Sequence, residues 1–158
     1  MTQEQKDLLL KDLCARLPYE VKVHAKYIDT ITDVEVEKVG VLSMVDNDTI
    51  IAFTCDDTNC YNYVTIHEVK PYLFPLSSMT EEQWKELRNL IYEDFTLDEE
   101  FNEGLCYKTY GDILVWLDEK PINECYFIFD YFNKNHFDYR GLIEKSLALD
   151  ATNLGIYE

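Results

Sequence analysis

The chain is poor in the residues that bend or break a polypeptide, and poorer still in positive charge. Its 158 residues include only 5 Gly and 4 Pro, which excludes collagen-like and Pro/Gly-rich low-complexity chains. Gly40, Gly104, Gly111, Gly141 and Gly155 are too scattered for G-x-G-x-x-G or a phosphate-cradling P-loop, and there is no G-x-S-x-G elbow. No cofactor is expected. The longest apolar runs, residues 113–117 and 125–129, fall far short of the roughly 20 that span a bilayer. Lys and Arg number 14 against 31 Asp and Glu, a formal net charge of −17. A surface of that sign repels phosphate backbones and anionic headgroups, and it gains nothing from counterion release. Neither a nucleic acid nor a membrane is expected as a direct partner.

What is present argues for a folded body. Hydrophobic residues make up 47% of the chain and aromatic residues 14%, with 12 Tyr, 8 Phe and 2 Trp. Such a chain has the side chains that offset conformational entropy, which disordered chains lack. A chain of this length buries about 70% of its unfolded surface, enough for one domain over residues 1–158. No repeat, low-complexity tract or linker interrupts it. Residues 1–11 lack the basic start and apolar run of a secretory signal. The five cysteines, Cys14, Cys55, Cys60, Cys106 and Cys125, form an odd, scattered set. The expectation is a cytoplasmic chain with reduced thiols.

The spacing predicts a first helix opened by a Thr2/Gln5 capping box, with Leu9, Leu13 and Leu17 on one stripe and Pro18 as its stop. Val21, Val23 and Ala25 alternate with polar residues as in a half-buried strand. Across residues 20–70 the pattern predicts an antiparallel meander of about four strands. Gly40 marks a bulge or bend, and residues 46–48 and 56–59 mark turns. Thr80 and Gln83 form a second capping box, with Met79 and Trp84 as its hydrophobic staple. Residues 112–117 read equally as strand or helix. Residues 125–129 have strand propensity, but Ile122, Cys125, Tyr126, Phe129 and Phe132 recur at helical spacing, and helix is favoured. A last helix is expected over 139–149, capped by Asp138. The fold class is therefore α+β: an N-terminal helix, the meander, and a helical C-terminal half packed on one sheet face.

Few constellations carry chemistry. Cys55, Cys60 and His67 are weak candidates for a metal site, since C-x₄-C is loose for zinc and lacks a fourth ligand. The competing reading is a hairpin whose two cysteines face each other, close enough to join on oxidation. The acidic turns do not match an EF-hand loop. Residues 135–141 are richer, with His136, Asp138 and Arg140 close together. As a catalytic corner, Arg140 would hold an oxyanion and His136 would move a proton. As structure, His136 and Asp138 would cap helices and Arg140 would pair with an acid. Residues 81–103 carry nine acids against Lys85 and Arg88; they form a solvated face or a phosphate mimic.

Three segments carry a resemblance: Asp12-Leu13-Cys14-Ala15-Arg16-Leu17-Pro18-Tyr19; Val69-Lys70-Pro71-Tyr72-Leu73 running into Pro75-Leu76-Ser77-Ser78-Met79-Thr80; and Asn135-His136-Phe137-Asp138-Tyr139-Arg140-Gly141-Leu142-Ile143. In this order they resemble a family of uncharacterised small proteins encoded in genomes and prophages of gut bacteria. The resemblance implies a cytosolic, phage-linked role and brings no activity or site residues. The function expected is that of a small acidic interaction or accessory protein without catalysis, acting on an unidentified protein partner. Its sharper form is a phosphate-mimicking decoy for a nucleic-acid-binding protein. The alternative is a small enzyme or anion-binding module built on residues 136–140.

Overall fold

A computed structural model describes residues 1–46, 50–55, 60–94 and 122–157. It is an α+β structure with an N-terminal helix, a six-stranded mixed sheet and later helices. Helix α1 spans Gln3–Arg16 and opens as its sequence dictates: Gln5 donates its backbone N–H to Thr2 Oγ1 at 3.2 Å, and Thr2 returns its own to Gln5 Oε1 at 2.9 Å. Leu9 and Leu13 are buried. Leu17 is not, because the chain tightens at Pro18 into a 3₁₀ turn, Leu17–Tyr19, that rotates it outward. Asp12 and Arg16 lie on the buried face instead.

Strands β1 (Lys22–Asp29), β2 (Val34–Val45), β3 (Ile50–Thr54) and β4 (Tyr61–Thr65) pair in succession, all antiparallel. The sheet does not end there. After a 3₁₀ turn at Ile66–Glu68, β5 (Val69–Leu73) returns to the far edge of β1, giving the order β4-β3-β2-β1-β5-β6. The long β2 bends where it changes partners. A Cβ on Gly40 would collide with the Thr54 carbonyl oxygen and lie 2.7 Å from the Phe53 ring, and the register slips between Leu42 and Met44. The bend curls the sheet until Asn62 on β4 reaches β1 and β2. Its Oδ1 accepts from Tyr27 Oη at 3.4 Å and Lys38 Nζ at 2.7 Å.

Helix α2 (Glu81–Asp94) has the expected Thr80/Gln83 capping box and buries Leu87 and Ile91. Helix α3 (Ile122–Lys134) covers residues 125–129, so helical spacing prevails there over strand propensity. The helix expected over 139–149 does not form. Gly141 (φ 66°) and Ser146 (φ 58°) take left-handed backbone, which breaks a helical run twice within six residues. The segment is a series of turns that delivers Leu142, Leu147 and Ala148 to the core and ends in β6 (Leu149–Asp150), parallel to β5. Residues 47–48 and 56–59 (the expected turns), 98–103, 112–117 and Cys106 lie outside the described residues.

Two apolar clusters result. One joins α1 to the inner face of the sheet through Leu9, Leu13, Phe53 and Ile66; the other joins α2 to α3 through Leu87, Ile91, Ile128 and Phe132. Among the described residues, no helix is long and apolar enough to cross a membrane.

Candidate functional site

The two clusters meet at a buried charged knot. Asp12 and Arg16 sit one helical turn apart on α1, and both are 0% exposed. Arg16 Nε donates to Asp12 Oδ2 at 2.7 Å, and its Nη2 donates to the Phe137 carbonyl at 2.7 Å. Its Nη1 reaches the Phe132 carbonyl on α3 at 3.5 Å. The second carboxylate oxygen of Asp12 accepts from Arg140 Nη1 at 2.7 Å. One aspartate thus holds two guanidiniums, and each oxygen is satisfied by a charge-assisted bond. Arg16 thus adds a second donor to the Phe132 carbonyl in the last turn of α3, which also accepts the Phe137 N–H at 2.8 Å.

Residues 135–141 cross this knot with their side chains sent in different directions. The Asp138 carboxylate accepts the backbone N–H of Leu142 and of Ile143, both at 2.8 Å, and so organises the following turn. His136 takes left-handed backbone (φ 58°) and stacks on Tyr157, with centroids 4.1 Å apart and planes 14° apart. Its carbonyl accepts from Phe74 N–H, and the Phe74 carbonyl accepts from Asp138 N–H. Burial, seconded by the charge of Arg16, pushes the imidazole pKa down to about 4. Arg140 lies over the Tyr139 ring, its Cζ 4.4 Å from the centroid. The carboxylate is therefore spent on backbone, the imidazole on a ring, and the guanidinium on Asp12.

The His136 shift has a measurable consequence. In the unfolded chain the imidazole titrates near 6.5, and in the folded chain near 4. Between those values acid protonates the unfolded chain first, so the stability contribution is complete above pH 6.5 and is lost as pH falls to 4. The loss is about 3 kcal/mol at most. His136→Asn, which tolerates left-handed backbone, should flatten this part of the pH profile in urea unfolding. An unchanged slope between pH 6.5 and 4 would exclude His136 as its source.

Beside the knot, between α1 and α3, runs a cleft of about 440 Å³. Lys11, Tyr19, Tyr126, Phe129, Tyr139 and Arg140 line it. Tyr126 is 67% exposed, and Tyr19 donates its hydroxyl to Asp130 at the rim. Of the three expected catalytic residues, only Arg140 lines this cleft. Asp138 lines a smaller neighbouring one of about 280 Å³, and His136 lines neither.

The expected metal candidates are not brought together as a trio. Cys55 follows β3, Cys60 precedes β4, and His67 sits in the 3₁₀ turn beyond β4. Among the described residues, no three His, Cys, Asp or Glu side chains converge as ligands. His67 instead lines a second cleft of about 440 Å³ with His24, where Lys26 and Lys70 accompany Glu35 and Glu68.

Asp12 and Arg16 are not marked in the sequence as a buried pair. Their one signal is an opposite-charge pair at i, i+4, a spacing that suits a solvated helix face as well as a buried one. The scan of family models and the searches of curated proteins and solved structures found no match to this chain. Residues 12–19, 69–80 and 135–143 meet in space. Arg16 contacts Phe137, Phe74 pairs with His136 and Asp138, and Arg140 contacts Asp12.

Proposed function

We propose that the chain is a small, non-catalytic binding protein that receives an anion-bearing aromatic group in the α1/α3 cleft. The phage-linked accessory setting implied by its three segments belongs to this reading. One observation carries it: in a chain with 31 acidic and 14 basic residues, this cleft sets Lys11 and Arg140 among four aromatic rings, with Asp130 as the opposing rim acid. Its volume falls within the range of small-molecule sites, which are mostly apolar with a few directing polar groups. A guanidinium already stacked on Tyr139 and anchored by Asp12 needs little reordering to accept an anion. The placement of His136 and Asp138 supports binding over proton transfer, since neither opens on the cleft. The decoy reading draws less support. Among the described residues, the exposed acids of residues 81–103 are Glu81, Glu82 and Glu86 on α2, with Lys85 exposed among them.

The test is a titration of isotope-labelled protein with phenyl phosphate and, separately, with neutral benzamide. Phenyl phosphate should shift the amide resonances of Ala15, Tyr19, Phe129 and Arg140, and benzamide should not. Lys11→Gln, at an exposed position, should weaken the phosphate probe about tenfold, as loss of one charged contact does. Equal response to both probes, or shifts confined to other surfaces, would refute the reading.

A further inference from the structure

We propose that Cys55 and Cys60 form a thiol pair that closes to an intrachain disulfide when it meets a small disulfide oxidant such as glutathione disulfide. The register of β3 on β4 runs from Ile50 opposite Thr65 to Thr54 opposite Tyr61. Continued by one position, it sets Cys55 opposite Cys60. Residues directly opposite in an antiparallel pair have Cα atoms about 4.5–5.5 Å apart, inside the 4.4–6.8 Å that a disulfide accepts. A second contact places both residues independently of the register. The Asn62 side-chain amide donates to Cys55 Sγ at 3.6 Å and to the Cys60 carbonyl at 3.1 Å. Both thiols are free, with Cys60 exposed and Cys55 half-buried against the sheet core.

Exposure assigns the order of events. The Cys60 thiolate attacks one sulfur of glutathione disulfide, forming a mixed disulfide and releasing one glutathione thiolate. The Cys55 thiolate then attacks the Cys60 sulfur and expels the second. Two protein thiols are oxidised, one glutathione disulfide is reduced to two glutathiones, and the two protons end on the released thiols. The product clamps β3 to β4, the outermost strand at that end of the sheet. The other described cysteines have no such geometry: Cys14 is exposed on α1 and Cys125 is buried in the α2/α3 cluster.

The full chain is equilibrated in graded ratios of reduced to oxidised glutathione, with and without 8 M urea, then alkylated and mapped by mass spectrometry. The expected product is a Cys55–Cys60 crosslink lighter by two hydrogens, with an equilibrium constant at least tenfold larger for folded than for unfolded chain. Cys55→Ser should leave a stable glutathione adduct on Cys60, and Cys60→Ser should leave Cys55 largely unmodified. Predominant pairing of other cysteines, or an equilibrium constant no larger in the folded chain, would overturn the proposal.

Discussion

Replacing Arg16 with methionine should lower the free energy of unfolding by about 3–5 kcal/mol, the range found when one partner of a buried ion pair is removed. Methionine fills much of the aliphatic volume, so the loss is chiefly electrostatic. Asp12 would remain 0% exposed with Arg140 as its remaining partner in the knot, and the carbonyl of Phe137 would lose its 2.7 Å donor. That carbonyl would keep the Tyr139 N–H at 3.1 Å, so the larger part of the cost falls on the buried carboxylate, which loses one of its two charged partners. Arg16→Lys should recover only part of the loss, because one ammonium cannot replace a fork that spans a carboxylate and two carbonyls. Arg140→Met should be milder, since that side chain retains 16% exposure and can be replaced by water. Urea unfolding of the three variants measures the ranking; a loss below 1 kcal/mol for Arg16→Met would show that the knot is not a keystone of the fold.

Phe53→Ala should have an effect of similar size, about 3–5 kcal/mol, for a different reason. Phe53 is 0% exposed, belongs to the cluster between α1 and the sheet, and lies against the face of Gly40 that lacks a side chain. Truncation leaves a cavity that the bent sheet cannot easily collapse, because β2 and β3 are tied by backbone bonds on either side. Adding Gly40→Ala should not refill it. The new methyl group would still meet the Thr54 carbonyl, which belongs to the backbone of β3. The double variant should therefore be less stable than Phe53→Ala alone. A double variant more stable than the single would mean that the bend at Gly40 yields to packing.

These two sites also mark where the sequence could be read and where it could not. The capping boxes at Thr2/Gln5 and Thr80/Gln83 were legible because both partners lie within four residues and the chemistry is local. The alternation at Val21, Val23 and Ala25 predicted a buried face, and all three are 0% exposed. Residues 139–149 misled. Their apolar spacing suits a helix, but Asp138 binds two backbone N–H groups ahead of it, and Gly141 and Ser146 turn left-handed. Short-range hydrogen bonding competes with helix formation at such residues. At the candidate site, the residue types were legible and their destinations were not. Nothing in Asn135-His136-Phe137 announces that its histidine will stack on Tyr157, or that Arg16 will find its carbonyls 116 and 121 residues downstream.

That separation shapes how the molecule is made. When α1 leaves the ribosome, its arginine has only Asp12 to answer it, and the strand that completes β1 on its far side is some 45 residues behind. The carbonyls that seal the knot are made 116 and 121 residues after Arg16, and β6 follows later still. A nascent chain stalled before residue 137 has the Asp12–Arg16 pair of α1 without the Phe137 carbonyl or the Arg140 guanidinium. Contacts of such long sequence separation form slowly. The charged part of the α1 face is thus completed only once residues 137 and 140 are made, although Leu9 and Leu13 pack against strands synthesised well before them.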